Sequence, residues 1–124
     1  MVRQRYRGKL LWTFPGGGVE NGETPAQAAV REVAEEVNLK TEVVRLLYQG
    51  PREQANGNYY CYLGRITAGE VALGNDPELM ASMQELHEVR WRSLDEVCDH
   101  PEVLRILVQL QKQTVTSIDS TTNC

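Results

Sequence analysis

The sequence predicts an α/β fold in which helices cover both faces of a mixed sheet, and three observations indicate it. Short runs rich in Val, Leu, Tyr and Ile are separated by loops containing Gly, Pro and Asn, as is typical of strands. A helix with clear start signals begins after Thr24, and an amphipathic helix begins at Pro101. Strands combined with one central and one C-terminal helix predict a layered α/β sandwich.

The first element of this pattern is a strand, predicted from the apolar and aromatic run Leu10–Phe14. Pro15 and the glycines Gly16, Gly17 and Gly18 follow it, which predicts a sharp loop. These glycines let the backbone approach a substrate or adopt positive φ, and we prefer that interpretation to an ordinary turn. Trp12 is predicted to pack in the core, because large aromatic side chains mainly supply buried area.

The central helix is predicted from capping residues and from one apolar stripe. Thr24 is a good N-cap, Pro25 suits the first helical position, and Gln27 completes a capping box. Asn38 can adopt the left-handed conformation that ends a helix. The stripe that would pack on the sheet consists of Ala26, Val30, Val33 and Val37.

The remaining elements follow the central helix. Glu42–Gln49 and Asn58–Ile66 are predicted as strands, and Glu88–Arg92 around Trp91 is predicted as a shorter one. Ser93 then caps a turn of helix through Val97. The helix that Pro101 opens has a predicted buried face formed by Val103, Leu104, Leu107, Val108 and Leu110.

Length and composition indicate one globular domain. With 124 residues, of which 41% are hydrophobic, the chain is long enough to bury a core, and we predict a domain over residues 1–113. Residues 114–124 are polar and aperiodic, which predicts a loose C-terminal tail. The formal charge of −4 provides no general attraction to nucleic acid or to an anionic membrane.

Cysteine usage and hydropathy predict a soluble, cytoplasmic protein. Cys61, Cys98 and Cys124 are odd in number and lack a C-x-x-C pair, so neither a disulfide framework nor a zinc site is expected. The N-terminus has no apolar segment of the kind found in signal peptides, and no apolar run approaches the roughly 18 residues of a membrane span.

Three carboxylates on the central helix are the strongest functional signal. Glu32, Glu35 and Glu36 lie within an arc of about 100° that faces away from the apolar stripe. Their mutual repulsion is unfavourable for stability. Magnesium prefers clustered carboxylate oxygens and often shares its coordination shell with substrate phosphates. Because the helix follows a strand and a glycine loop, where ligands of α/β sheets tend to bind, the sequence predicts a metal site there.

The same segment also imitates the phosphate loop of another enzyme class. Gly17-x4-Gly22-Glu23-Thr24 follows a strand and opens a helix, as G-x4-G-K-[ST] does in P-loop nucleotide hydrolases. Glu23 stands where the phosphates need the lysine cation, which argues against that class.

A set of residues from the glycine loop through the central helix lies at the spacing G-x5-E-x7-R-E-U-x-E-E-x-G-U, in which U is aliphatic: Gly17, Glu23, Arg31, Glu32, Val33, Glu35, Glu36, Asn38 and Leu39. This pattern resembles the Nudix box of the Nudix hydrolase family (MutT-like). Asn38 replaces the usual penultimate glycine, and Asn is the next best residue for positive φ. Trp12-x-Phe14-Pro15-Gly16 and Val89-x-Trp91-x-Ser93-Leu94 also resemble the family.

The resemblance implies a Nudix-type α/β/α sandwich and a metal-dependent hydrolase. The substrate would be a nucleoside diphosphate linked to a group X, or a nucleoside triphosphate, cleaved at a pyrophosphate linkage by attack of water on phosphorus. Mg²⁺ or Mn²⁺ would be the cofactor. Two alternatives stay open: an RNA 5′-end pyrophosphohydrolase, and a non-catalytic nucleotide-binding module. The local basic group that bears on the RNA alternative is Arg3, Arg5, Arg7 and Lys9.

The resemblance also assigns roles to individual residues. Glu32, Glu35, Glu36 and the carbonyl of Gly16 would ligate the metal, and Gly16, Gly17 and Gly18 would form the substrate or phosphate loop. Arg31 would orient the carboxylates, with Glu23 as its salt-bridge partner.

The catalytic base is a separate question. Related enzymes take it from the box, here Glu35 or Glu36, or from a later loop, which offers Glu78, Glu85 and Glu88. Glu85 is the preferred loop residue, because Glu88 begins the predicted strand that leads to Trp91.

The family pattern usually includes a strand before the segment that matches Val2–Arg5. With that strand missing, Val2–Arg5 would expose unpaired backbone groups. We therefore expect a homodimer that covers this edge, pairing of the edge with the tail around Val115–Ile118, or poor order in residues 1–8, and of these we favour association.

Overall fold

The computed structural model describes residues 1–6, 8–52, 57–74 and 86–113, with Tyr6 and residues 111–113 described by their backbone alone. Five strands and two helices lie in this part of the chain. In order they are β1 (Val2–Tyr6), β2 (Lys9–Thr13), α1 (Pro25–Val37), β3 (Lys40–Pro51), β4 (Asn58–Ala68), β5 (Leu86–Val89) and α2 (Pro101–Gln113).

The chain divides into two compact units. The first comprises Met1–Val44 and Gly64–Trp91, and the second comprises Arg45–Leu63 and Arg92–Cys124. The glycine loop and the whole of α1 therefore belong to the first unit. The five strands and two helices of the described residues confirm the α/β class that the sequence predicted.

The first unit contains a three-stranded sheet in the order β2-β1-β5. β1 pairs antiparallel with both neighbours, and Arg3 lies opposite Trp12 on β2 and Glu88 on β5. The tight connection between β1 and β2 contains Gly8 at φ 79°, a conformation that glycine adopts without strain. The described strands thus form this sheet and a separate β3-β4 sheet, whereas one mixed sheet was predicted.

The prediction of an unpaired edge on β1 is wrong. β5 pairs with Val2, Arg3 and Gln4 on the side of β1 that β2 does not occupy. Because these residues carry a paired strand on both sides, they do not need a second chain to pair their backbone groups. The tail around Val115–Ile118 lies outside the described residues, and a homodimer stays a prediction.

α1 begins and ends where its capping residues predict. The Thr24 hydroxyl accepts a hydrogen bond from the Gln27 amide at 3.1 Å, and the Gln27 side chain accepts one from the Thr24 amide at 2.9 Å. Asn38 closes the helix in the left-handed conformation at φ 62° and ψ 29°. Asparagine therefore adopts the conformation for which the family pattern uses glycine.

The core of the first unit joins one face of the sheet to α1. Val2 is fully buried, and it clusters with Val37 at the end of α1 and with Leu39. The partly buried residues that pack against this cluster are Val33, Val71, Leu86 and Val89. Val33 and Val37 thus confirm the C-terminal half of the predicted apolar stripe.

The second unit combines part of the two-stranded β3-β4 sheet with α2. Among the α2 side chains that the structure describes, Val103 and Ile106 are buried, whereas Leu104 and Val108 are 52% and 54% exposed. The predicted buried face of this helix was therefore wrong at Leu104 and Val108. The helix carries more apolar positions than one packed stripe can cover, so the packing partner decides which of them are buried.

The region before α2 differs slightly from the predicted pattern. The strand predicted at Glu88–Arg92 is β5, which begins two residues earlier than predicted, at Leu86, and ends at Val89. Trp91 lies beyond the end of this strand, with 66% of its surface exposed. Ser93 caps the following turn as predicted, because its hydroxyl accepts a hydrogen bond from the Glu96 amide at 3.3 Å.

Two further findings bear on the predicted location. Within the described ranges, no helix combines the length and the apolar character needed to cross a membrane. Cys98 is disulfide-bonded, contrary to the expectation from cysteine spacing, while Cys61 is a free and half-buried thiol. A cytoplasmic location stays a prediction.

Candidate functional site

The glycine loop packs directly against the acidic side of α1. The Gly16 amide donates a hydrogen bond of 2.7 Å to Oε2 of Glu36. A methyl group on Gly17 would lie 2.5 Å from Oε1 of Glu32, so only glycine fits there without a shift. The Gly18 carbonyl accepts a hydrogen bond of 2.9 Å from Arg31. Each loop glycine therefore meets a different polar residue of the helix.

The Arg31 guanidinium donates hydrogen bonds to five oxygen atoms, of which one is the Gly18 carbonyl and four are carboxylate oxygens. Its Nε and Nη2 donate to the two carboxylate oxygens of Glu23 at 2.8 and 3.0 Å, a bidentate pair. Its Nη1 donates to Oε1 of Glu32 at 2.9 Å and to Oε2 of Glu35 at 3.2 Å. The planar fork thus fixes two carboxylates of the acidic cluster and ties them to Glu23 at the helix start.

The charges of this network stabilise one another. The hydrogen bonds from Arg31 lower the pKa of Glu23 to about 2, and the Glu20 backbone amide donates a further bond that acts in the same direction. The pKa of Arg31 is raised, first by Glu23 and then by Glu32. Both groups therefore stay charged across the physiological range, and the pair predicted between Arg31 and Glu23 is present.

Glu36 differs from its two neighbours because it is buried. Only 8% of its surface is exposed, although its position on the helical wheel predicted a face turned away from the apolar stripe. Burial raises the pKa of the Glu36 carboxyl to about 7, opposed by the Gly16 hydrogen bond and reinforced by Glu32 and Glu35. The metal-free site therefore holds a carboxyl that gains or loses its proton near neutral pH.

Glu35 is the solvent-facing member of the cluster, with 58% of its side chain exposed. Its backbone, however, is closely covered: a methyl group on Gly74 would overlap the Glu35 carbonyl. The Gly74 amide donates a hydrogen bond of 2.8 Å to the Glu36 carbonyl, and the Ala72 amide donates one of 3.0 Å to the Val37 carbonyl. The segment before residue 75 thus satisfies backbone acceptors at the C-terminal end of α1.

Local sequence patterns do not predict this contact. The segment 71–74 is about 36 residues from its partners along the chain, and a glycine at a close approach looks the same in sequence as a glycine in a turn. The Asn38 side chain adds to the contact by donating a hydrogen bond of 3.0 Å to the Glu70 carbonyl. Asn38 therefore does more than replace a glycine.

The oxygen atoms of the glycine loop and the acidic side of α1 are chemically suitable ligands for a hard divalent cation. Among the residues that the structure describes, no three His, Cys, Asp or Glu side chains are already gathered as a metal cage. Instead, Arg31 contributes the positive charge beside Glu32 and Glu35, and Glu36 is held back by the Gly16 amide. Carboxylate oxygens beside backbone carbonyls are the ligands that magnesium prefers, so the residues present suit it.

Comparison with known proteins decides the family. The model of the NUDIX domain matches residues 1–112 of this chain. The chain belongs to the Nudix family. The match includes the first unit, the glycine loop, α1 and all but the last residue of α2, so the elements described above are those of a Nudix domain.

Relatives of this Nudix domain have been named in several organisms. The protein named "Putative mutator protein MutT4" from Mycobacterium tuberculosis is 34% identical over 97 residues, which is 73% of this chain and 36% of that protein. An RNA pyrophosphohydrolase from Psychromonas ingrahamii is 58% identical over 40 residues, which is 32% of this chain and 22% of that protein. Another from Actinobacillus succinogenes is 53% identical over 45 residues, 36% of this chain and 22% of that protein.

The aligned part of the chain spans little more than a third of the length of the first of these relatives and about a fifth of the other two. Their names therefore describe proteins that are longer than the matched region. The family membership also excludes the P-loop interpretation of this segment. Glu23 is a position of the Nudix box, and it forms an ion pair with Arg31.

The residues outside the box have different outcomes. Glu85, the predicted catalytic base, lies outside the described residues, as does Glu78. Glu88 is on β5, where it pairs with Arg90 at 2.9 Å and with Arg3 at 3.8 Å. Glu88 therefore belongs to a charged face of the sheet, and the base role predicted for Glu85 stays a prediction.

Proposed function

We propose that this chain is a metal-dependent hydrolase that cleaves a pyrophosphate linkage in a nucleoside diphosphate linked to a group X, or in a nucleoside triphosphate. The supporting observation is the contact between the glycine loop and the acidic side of α1, where Gly16, Gly17 and Gly18 meet Glu36, Glu32 and Arg31. A diphosphate at this contact would lie beside open backbone and beside carboxylates that bind a cation.

The proposed cofactor is Mg²⁺ or Mn²⁺. Glu32, Glu35, Glu36 and the Gly16 carbonyl would hold it, and when bound it would offset phosphate charge and lower the pKa of a ligated water. The Gly16 amide, which bonds to Glu36, lies on the same residue as this carbonyl. The loop thus offers one donor to the carboxylate and one acceptor to the cation.

The protein's own residues would position the reaction. Arg31 holds the carboxylates of Glu32 and Glu35 in fixed orientations, because one guanidinium nitrogen donates to both. The Gly17 backbone approaches Glu32 so closely that no side chain separates a bound phosphate from the helix. Phosphoryl transfer depends mainly on such positioning and on electrostatic stabilisation.

Dependence on a metal ion tests the proposal. We expect hydrolysis of nucleotide diphosphate substrates in Mg²⁺ or Mn²⁺ and its loss in excess chelator, because the carboxylates alone would repel the substrate's phosphates. The assay would measure released phosphate species across a panel of nucleoside triphosphates and diphosphate-linked nucleotides. Readdition of the metal should restore the rate. Turnover that survives exhaustive chelation would rule out this mechanism.

The general base is proposed to be Glu85, with the box carboxylates Glu35 and Glu36 as the alternatives. Glu85→Gln should lower kcat by about 100-fold or more, the scale of general base catalysis, while metal affinity stays nearly unchanged. Isothermal titration with Mn²⁺ would measure that affinity, and Glu96→Gln, which removes an exposed carboxylate beside Arg92, serves as the control. An unaffected rate in Glu85→Gln would assign the base to the box.

A second candidate substrate is the 5′ end of RNA. The 58% and 53% identities to proteins named RNA pyrophosphohydrolase favour it. A non-catalytic nucleotide-binding module is the third alternative, and the intact cluster of Glu32, Glu35 and Glu36 weighs against it because like charges on one helix face are unfavourable without a cation.

A further inference from the structure

A charged aromatic face covers the side of the three-stranded sheet opposite its core. Directly opposed residues of antiparallel strands project to the same side, so Arg3 shares this side with Trp12 and Glu88. Arg5 lies two residues further along β1 and opposite Leu10, so it extends the same side. Val2, on the other side of β1, is fully buried in the core.

Arg90 completes this face. Its guanidinium lies 5.7 Å from the centre of the Trp12 ring, within the range of a cation–π contact. It also donates to Oε2 of Glu88 at 2.9 Å, and 60% of its side chain is exposed. We name the set Arg3, Arg5, Trp12 and Arg90 the arginine–tryptophan face.

The face keeps a positive charge. Glu88 provides the single carboxylate that the described ion pairs of this face contain, and it is shared by Arg3 and Arg90. The Arg3–Glu88 separation of 3.8 Å is longer than a hydrogen bond, and 39% of the Arg3 side chain is exposed. Three arginines beside one glutamate give a local excess of cations on a chain whose formal charge is −4.

The face lies within a short stretch of chain from the proposed diphosphate site. Trp12 is on β2, and the chain then runs through Phe14 and Pro15 to Gly16. Four residues of chain span at most about 13 Å, even when they are fully extended. A ligand whose diphosphate lies at the glycine loop could therefore reach the arginine–tryptophan face with the part of the molecule that follows its 5′ phosphates.

We propose that the arginine–tryptophan face binds the first nucleotides of a single-stranded RNA whose 5′ diphosphate linkage lies at the glycine loop. This rests on the proposed function and selects the RNA 5′ end as the substrate class. Arginines bind backbone phosphates, and an exposed guanidinium beside an indole forms a surface on which bases stack. A free nucleoside triphosphate has no second nucleotide to place there.

Binding tests the face without hydrolysis. The chain has two tryptophans, so Trp91→Phe leaves Trp12 as the sole indole fluorophore. In this background, a short 5′-monophosphorylated RNA, which has no pyrophosphate linkage, should quench the fluorescence on titration. The slope of log affinity against log salt should be about −1.4 to −2 for two or three phosphate contacts. Trp12 fluorescence unchanged by RNA, or an affinity independent of salt, would overturn the proposal.

Variants locate the binding. Arg90→Ala should weaken RNA binding about fivefold or more at low salt and reduce the salt slope by about 0.7. Arg65→Ala is the matched control, because Arg65 is 69% exposed, pairs with Glu42 and lies outside the face. Equal weakening by both variants would show a general charge effect and contradict the assignment.

Kinetics distinguish this inference from the proposed function. In the intact chain, Arg90→Ala should lower kcat/KM for a 5′-triphosphorylated RNA several-fold more than for a nucleoside triphosphate. If neither substrate is hydrolysed while the RNA still quenches Trp12, the proposed function fails and the face stands. If both are hydrolysed and Arg90→Ala changes their rates equally, the face fails and the proposed function stands.

Discussion

Glu36→Gln is expected to lower kcat by more than about 100-fold, since even residues that only support metal ligands cost 10- to 100-fold when they are removed. Glutamine keeps the shape of the side chain, and its carbonyl oxygen can still accept the Gly16 hydrogen bond of 2.7 Å. The loss of activity would therefore result from the missing negative charge of the carboxylate that holds the cation, and not from a displaced loop. Steady-state kinetics at saturating metal would measure it.

The same variant should stabilise the metal-free protein above neutral pH. The Glu36 pKa rises from 4.5 to about 7 on folding, so its favourable contribution is present below about 4.5 and is lost as pH rises through 7. Glutamine does not titrate, so it avoids the cost of burying a charge. We expect a gain of about 2 kcal/mol at pH 8, or roughly 5–10 °C in Tm, and a smaller difference at pH 5.

Two controls make this result specific. Glu35→Gln removes the same charge from a side chain that is 58% exposed, so it should lower kcat without a comparable stabilisation. Glu96→Gln should change neither quantity, because Glu96 is an exposed partner of Arg92 and is not a residue of the box. Melting in chelator at pH 5 and 8 would provide the comparison. Near-normal turnover in both Glu35→Gln and Glu36→Gln would contradict the assignment of the metal site.

The parts of the fold that depend on local chemistry could be predicted from the sequence. Thr24, Pro25, Gln27 and Asn38 act within one or two turns of α1, and the structure places both helix ends where they indicate. The pairing between Arg31 and Glu23 was also expected, although from the resemblance to the Nudix box rather than from local chemistry. The strands were correct in position and differed by one to three residues at most ends.

The burial of Glu36 could not be predicted in this way. A helical wheel gives the direction of a side chain but not what covers it, and Gly16, which covers this carboxylate, lies 20 residues earlier. The same applies to α2, where Ile106 rather than Leu104 is buried. Likewise, the partner of β1 at Val2–Gln4 is β5, which lies more than 80 residues away in sequence. These features depend on tertiary contacts that local patterns do not encode.

Arg31→Ala is expected to reduce activity about 10- to 100-fold, through the orientation of the carboxylates rather than through direct contact with substrate. Its guanidinium fixes Glu32 and Glu35 from one nitrogen and is itself fixed by Glu23 and the Gly18 carbonyl. Removing it frees two proposed ligands to adopt other rotamers. Metal affinity, measured by Mn²⁺ titration, should fall together with kcat.

A direct readout of the network is the titration of Glu23. In the intact protein its pKa is held at about 2, mainly by the Arg31 hydrogen bonds, so NMR should show the carboxyl charged down to strongly acidic pH. In Arg31→Ala the pKa should rise toward the ordinary 4.5. The stability that this depressed pKa provides is present above pH 4.5 and lost as pH falls through 2, so the variant should also unfold earlier in acid.

Arg31→Lys separates charge from geometry. Lysine keeps one positive charge but lacks the planar fork that donates to Glu23 through two nitrogens and to Glu32 and Glu35 through a third. If orientation is the function of Arg31, lysine should restore part of the Glu23 pKa shift and little of kcat. If Arg31→Ala instead has a normal kcat and only a lowered Tm, Arg31 is a structural residue, because the carboxylates would then bind the cation without being oriented by the guanidinium.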